Sequence, residues 1–259
     1  VKSNQLLELN EADATESRSQ FLETSALQYT QELNSENLNK ISYSQNNYDD
    51  FKREILIPHK MSTLGPCLAI ADINSDGLED FFLGGAAGFA GQLYLQNTDG
   101  SFILQTSGPW STYKANEDGD ALFFDADQDG DLDLIVCSGS NVFPVNSPLY
   151  HDRLYINNGK GQFTDGSKKL PKLSTSKGLV KAFDVDGDKD LDLFLGGRQI
   201  PGKYGLSVQS YILINDNGNF IDKTKELCPL MCSDFGIVSC GSWLDIDGDA
   251  DQDLVLGGE

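Results

Sequence analysis

The chain has 259 residues, 39 % of them hydrophobic, with 26 glycines and a formal charge of −21, which suits one large all-β domain or two small ones. It contains no run of about 18 apolar residues, so no segment reads as a membrane span. The acidic balance argues against nucleic acid as a partner, because phosphate binding draws on clustered Lys and Arg.

The opening Val1-Lys2-Ser3 is followed by no apolar run. No signal peptide is read there, and the expectation is a mature fragment or a piece excised from a longer chain. Leu6-Leu-Glu-Leu-Asn10 and Ser19-Gln-Phe-Leu-Glu-Thr24 read as two arms of a hairpin within residues 1–24. Residues 25–64 are polar early and more patterned from Tyr48 to Pro58; they are expected to form an irregular connection with little regular structure.

From there the chain repeats. Four nine-residue windows align without gaps, at 72–80, 125–133, 184–192 and 245–253, and hold 19 of the 40 Asp and Glu. That much negative charge in short turns repels itself unless cations neutralise it. Each window follows an apolar run (Cys67–Ala71, Ala121–Phe124, Gly178–Phe183, Val238–Leu244) and precedes another (Phe81–Gly85, Leu134–Cys137, Leu193–Gly197, Leu254–Gly258). The acidic loop therefore joins two adjacent strands. Between windows a hairpin pattern recurs, with alternating apolar residues, an Asn/Asp/Gly turn and a returning aromatic: Gln92–Asn97 with Phe102, Arg153–Asn158 with Phe163, and Tyr211–Asp216 with Phe220.

Four strands per repeat, in series, predict an all-β fold, a β-propeller of four-stranded blades with Asp-rich calcium loops. The predicted units are blades over 65–117, 118–177 and 178–237, then the inner half of a further blade over 238–259, with 1–24 as the outer hairpin of a preceding blade. The favoured arrangement is a partial propeller with about four blades covered. The alternative is that the two end halves meet and close a four-bladed ring.

Calcium takes six to eight oxygens in flexible geometry. Side chains at positions 1, 3, 5 and 9 of a tight turn can converge, and position 7 can add a backbone carbonyl. The candidate ligands are Asp72, Asn74, Asp76, Asp80 and the Leu78 carbonyl; Asp125, Asp127, Asp129, Asp133 and the Asp131 carbonyl; Asp184, Asp186, Asp188, Asp192 and the Asp190 carbonyl; and Asp245, Asp247, Asp249, Asp253 and the Asp251 carbonyl. Up to four calcium ions are expected, the first site weakest because Asn74 removes one carboxylate. Glycine, which accepts the φ > 0 such a turn needs, stands at position 6 in two loops (Gly77, Gly130) and at position 4 in the others (Gly187, Gly248). Lys189 and Ala250 occupy position 6 in the last two and supply no ligand; Ala250 is expected to leave its loop slightly strained. An EF-hand also begins D-x-D-x-D-G, but it needs a Glu at position 12, where Leu83, Val136, Leu195 and Leu256 stand. Magnesium suits so carboxylate-rich a set less well.

The pattern D-x-[DN]-x-D-G-x-x-D-L-x-L-G-G, with Phe235-Gly236 leading into the last repeat, resembles the FG-GAP/VCBS repeats of integrin-α-type propellers. The stretch Leu64–Gly77 is most similar to bacterial VCBS-repeat proteins, which are often secreted or in the outer membrane. The resemblance covers residues 65–259 and weakly 1–24. It implies a propeller of about seven blades, extracellular or cell-surface placement, and a role in adhesion or ligand binding. Cys137-Ser138 departs from it where the other repeats have Gly-Gly.

No catalytic constellation is readable. His59 and His151 read as structural or surface residues, and no G-x-S-x-G or P-loop occurs. The paired Asp residues of a glycosidase are already used here as cation ligands. Trp243 is expected in the core, whereas Trp110 and Tyr113 lie in a polar connection and are candidates for stacking on a sugar. Of five cysteines, Cys67 and Cys240 read as buried small hydrophobes, and Cys228 and Cys232 are close enough to consider as a disulfide. Two function classes remain: a calcium-stabilised, non-catalytic binding or adhesion module for protein or glycan, and a polysaccharide-active lyase or hydrolase on the same scaffold. An exposed Arg/Lys/His/Tyr cluster in one groove would favour the second.

Overall fold

The computed structural model describes residues 41–233, 235–249 and 251–258. The hairpin expected in 1–24, the first part of the 25–64 connection and Ala250 lie outside them. The described residues hold fourteen strands in antiparallel sheets. The first sheet comprises β1 (Leu68–Ala71), β2 (Asp80–Leu83), β3 (Gln92–Gln96) and β4 (Phe102–Gln105). The second comprises β5 (Asp118–Phe124), β6 (Asp133–Ser138), β7 (Arg153–Ile156) and β8 (Thr164–Asp165). The third comprises β9 (Ser176–Phe183), β10 (Asp192–Gln199), β11 (Tyr211–Asp216) and β12 (Asn219–Asp222). A two-stranded pair follows, β13 (Val238–Leu244) and β14 (Asp253–Gly258). In each four-stranded sheet the strands lie side by side in chain order.

The register is the same at every acidic loop. Ala71 pairs with Asp80, Phe124 with Asp133, Phe183 with Asp192 and Leu244 with Asp253. The last Asp of each window thus opens the second strand. The first strands β1, β5, β9 and β13 are neighbours in series, which makes the molecule an all-β, partial β-propeller of successive blades.

Three apolar cores lie between successive sheets, and the strands that divide them are buried on both faces. Along β6, Leu134 and Val136 enter the core shared with the first sheet, while Ile135 and Cys137 enter the core shared with the third. Along β10, Leu193 and Leu195 face the second sheet and Phe194 faces β13. Period-2 side chains with two covered faces explain why these strands read as unbroken apolar runs. Trp110 is 5 % exposed. Carried on a 3₁₀ turn over Pro109–Tyr113, it packs edge-on against Phe82, Tyr155 and Phe163 at 5.9–6.0 Å. The expectation of an exposed Trp110 is corrected: its indole fills the junction of two blades. Trp243 stacks on Phe183 at 4.9 Å. All five cysteines are free, Cys228 and Cys232 included, and Cys240 is exposed rather than buried.

Residues 41–64 are more ordered by side chains than their sequence suggests. Asp50, fully buried, accepts from Ser62 N (3.0 Å), Ser62 Oγ (2.6 Å) and Asn141 Nδ2 (2.8 Å). Arg53 donates to the carbonyls of Asn141 and Phe143 in the second blade and of Pro201 in the third. Glu54 accepts from Tyr204 N at 2.6 Å. The segment is a strap across two blades, held by polar bonds that leave no apolar periodicity to read.

Charges inside the fold are compensated. Arg153 bonds Asp118 at 2.5 Å and Ser138 Oγ at 2.8 Å, and Asp118 also accepts from Gly85 N at 2.7 Å. Lys177 is fully buried, with Nζ on the Tyr150 and Thr175 carbonyls and 3.3 Å from Asp152. Glu117 differs. Burial pushes its carboxyl from about 4.5 up to about 7, against bonds from Ala87 N and Asn46 Nδ2 that pull it down. The folded state therefore binds this proton more tightly than the unfolded chain, and stability falls as pH rises from about 4.5 to about 7. Glu117→Gln should raise stability by about 2 kcal/mol at pH 8 and by almost nothing at pH 4. Urea unfolding of both proteins at the two pH values checks this; an equal gain at both would assign it to something other than ionisation.

Candidate metal centre

Each acidic loop folds around its own carboxylates. The position-9 Asp binds the N–H of position 2 with one oxygen: Asp80 from Ile73 at 3.4 Å, Asp133 from Ala126 at 3.1 Å, Asp192 from Val185 at 2.7 Å, Asp253 from Ile246 at 3.0 Å. In the three full sheets its other oxygen takes an N–H from the third strand or the residue just past it, from Gln96, Asn157 and Asn215, each at 2.8 Å. One carboxylate thus ties loop, second strand and third strand together. The position-5 Asp accepts from the position-7 N–H in every loop (Leu78, Asp131, Asp190, Asp251) at 2.8–3.1 Å. Position 1 receives the N–H of the turn tip: Asp72 from Gly77, Asp125 from Gly130, Asp184 from Gly187 and Lys189, and Asp245 from Gly248.

The turn needs left-handed backbone twice. Position 4 has φ of 59° at Ser75, 61° at Gln128, 82° at Gly187 and 79° at Gly248; position 6 has 83° at Gly77, 89° at Gly130 and 81° at Lys189. In the first three loops a glycine relieves one of the two, and the other falls on an L-residue at a cost of about 1–2 kcal/mol. This explains why the glycine moves between positions 4 and 6 without changing the loop.

Positions 1, 3 and 9 converge. Oxygens of Asp125, Asp127 and Asp133 lie within 4.8 Å of one another, as do those of Asp184, Asp186 and Asp192, and of Asp245, Asp247 and Asp253. The position-5 carboxylates of Asp129, Asp188 and Asp249 stand outside these triads. In the first loop Asn74 replaces the middle acid, and its Oδ1 accepts from Asp76 N at 3.0 Å. The triads could hold a metal ion, and the second loop supplies the test of fit. Asp125 Oδ1 and Asp127 Oδ1 are buried without a hydrogen-bond partner, an arrangement that costs free energy unless something positive completes it. Burial pushes Asp133 up to about 7, the Asn157 and Ala126 N–H groups oppose this, and the Asp127 and Asp129 carboxylates add to it. A hard divalent cation at the focus would relieve all three acids, and an all-oxygen donor set suits calcium.

Two residues that sequence reasoning treated as mere turn signals join neighbouring centres. Asn157 Nδ2 donates to the Ile73 carbonyl of the preceding blade's loop at 2.8 Å and to Leu132 O of its own at 3.0 Å. Asn215 does the same to Ala126 O (2.9 Å) and Leu191 O (3.2 Å). Both occupy one column of the recurring hairpin pattern, where the first blade has Gln96; that recurrence is the signal that could have found them.

A partial propeller whose described blades each carry an Asp loop between the first two strands defines a class of repeat protein. Residues 72–136 and 125–195 each match the family model described as FG-GAP-like repeat. Each match starts at the first Asp of one loop and ends in the strand that follows the next. No curated protein matches the chain.

The geometry separates two roles for these acids. Asp133→Ala leaves the Ala126 and Asn157 N–H groups unpaired and should cost about 2–4 kcal/mol even in chelator. Asp129→Ala frees only a near-surface N–H and should cost less than about 1 kcal/mol under the same conditions. Urea midpoints in excess chelator distinguish them; equal losses would reject the structural role of position 9.

Proposed function

We propose that the chain is a calcium-stiffened, non-catalytic binding module that works outside the cell or on the cell surface, where its blades recruit a protein or glycan. The carrying observation is the convergence of three Asp triads, with unpartnered buried oxygens in one of them. The candidate calcium ligands are the side chains at positions 1, 3, 5 and 9 of the four loops with the position-7 carbonyls, for up to four ions. The FG-GAP-like match supports a repeat module of this kind. Calcium would neutralise loops that hold 19 of the 40 acids, and extracellular fluid keeps that ion abundant. The proposed units are the three four-strand blades at 65–117, 118–177 and 178–237, with 238–259 as the inner half of another.

The second reading, a polysaccharide-active lyase or hydrolase, draws on one groove that gathers Tyr113, His151, Arg153, Lys168 and Lys172. Its chemistry is weak. The Tyr113 phenol donates to Asp165 at 2.6 Å and is pushed above its ordinary range by burial, the wrong direction for a phenolate base. Turnover on a panel of acidic polysaccharides would replace the first reading with this one.

Calcium at a hundred times its dissociation constant should add about 2.7 kcal/mol of stability for each independent site. Calorimetric titration should count up to four ions, the first loop's being weakest. Absence of calcium uptake, together with the same unfolding midpoint in chelator, would overturn the reading. An unchanged stoichiometry in Asp72→Ala would remove that residue from the ligand set.

A further inference from the structure

The connection between the second and third blades, with the strand that follows it, is basic in an acidic molecule. Between Asp165 and Asp184 no acid occurs, while Lys168, Lys169, Lys172, Lys177 and Lys181 do, five of the chain's 19 Lys and Arg. Part of this stretch lines a groove of about 510 Å³ at the start of β7, the end of the hairpin strands remote from the acidic loops. Pockets for small ligands commonly have this volume.

The charges of the groove are unevenly satisfied. Arg153 is 2 % exposed; Asp118 and Ser138 hold two of its nitrogens, and Nε has no hydrogen-bond partner. Asp152 lines the same groove and lies 3.3 Å from the buried Lys177 ammonium. Asp165 accepts from Tyr113 OH and from Ser167 N at 2.9 Å. Lys168 and Lys172 are exposed and, among the described residues, make no ion pair. Burial, with the Lys172 and Lys177 ammoniums, pushes His151 below its ordinary value, against the Asp152 carboxylate. Tyr113 remains half-buried, with one edge of its ring against Tyr155.

We infer that this groove is the ligand site of the module, and that it takes a short stretch of acidic oligosaccharide. Lys168 and Lys172 would pair with sugar carboxylate or sulfate groups, and the Tyr113 ring would offer an amphipathic surface to a pyranose face. Bulk charge of −21 would repel an anionic chain elsewhere on the surface, which focuses binding on this patch. The inference rests on the binding-module reading and names where that module binds.

The test uses the full chain in calcium and three probes of equal length: a galacturonate tetramer, its neutral galactose counterpart and a glutamate tetrapeptide. Calorimetric titration should show binding of the galacturonate tetramer that weakens with added salt. Lys168→Ser with Lys172→Ser should weaken it at least about tenfold with an unchanged unfolding midpoint, and Tyr113→Ala should weaken it as well. Equal affinity for the neutral tetramer, or tighter binding of the peptide, would overturn the assignment. So would a wild-type chain that binds no probe. If the wild type binds galacturonate and the Lys variants bind it equally well, the groove is wrong while the module reading stands. Loss of calcium-dependent stability would instead strike that reading itself.

Discussion

The structure depends on a carboxylate that accepts from two backbone donors at once. At the ninth position of each loop, an Asp at the start of a strand binds the N–H two residues into its own turn; in the full sheets it also binds an N–H at the end of the third strand. Remove that group and both the turn and the end of the next strand lose their register. The side chain is fully buried at Asp80, Asp133 and Asp192, so these charge-assisted bonds form away from water, where they are strong and costly to lose. The same carboxylates stand at the focus of the candidate metal centres.

This placement creates an electrostatic asymmetry along each blade. Inside, charges are matched: Arg153 meets Asp118, and Lys177 sits among carbonyls and Asp152. At the loop end, the acids of the triads converge on one another and accept from backbone N–H groups, and Lys169 lies 3.5 Å from Asp127. Crowded like charges raise the free energy of the folded state. A divalent cation at the focus of a triad would remove that cost, and the loops would then act as stiffeners. The Asn157 and Asn215 side chains link consecutive loops across blade boundaries, so stiffness at one centre is passed to the next through direct hydrogen bonds.

Much of this was legible because it is local. Windows of Asp at alternate positions announce a turn, and the apolar runs on either side announce paired strands; β13 covers the very span Val238–Leu244 read as its strand. Trp110 was misread because its neighbours Ser107, Gly108 and Pro109 are polar or turn-forming, while its partners Phe82, Tyr155 and Phe163 come from elsewhere in the chain. The strap over 41–64 escaped notice for a related reason. Asp50, Arg53 and Glu54 read as surface charge, and only the tertiary fold delivers Ser62, Asn141 and Tyr204 to them.

By itself, then, the order of residues determined the repeat, the strand pairs, the turn that joins them and the donor atoms placed in it. These follow from side-chain period and spacing, which act over a few residues. Tertiary structure alone decided which of those donors converge, setting positions 1, 3 and 9 together and leaving position 5 to hold the turn. It also decided that both positions 4 and 6 take left-handed backbone, and that a lysine-rich connection faces a groove floored by a buried arginine. Such outcomes depend on groups brought together from distant parts of the chain, and no spacing within one segment encodes them.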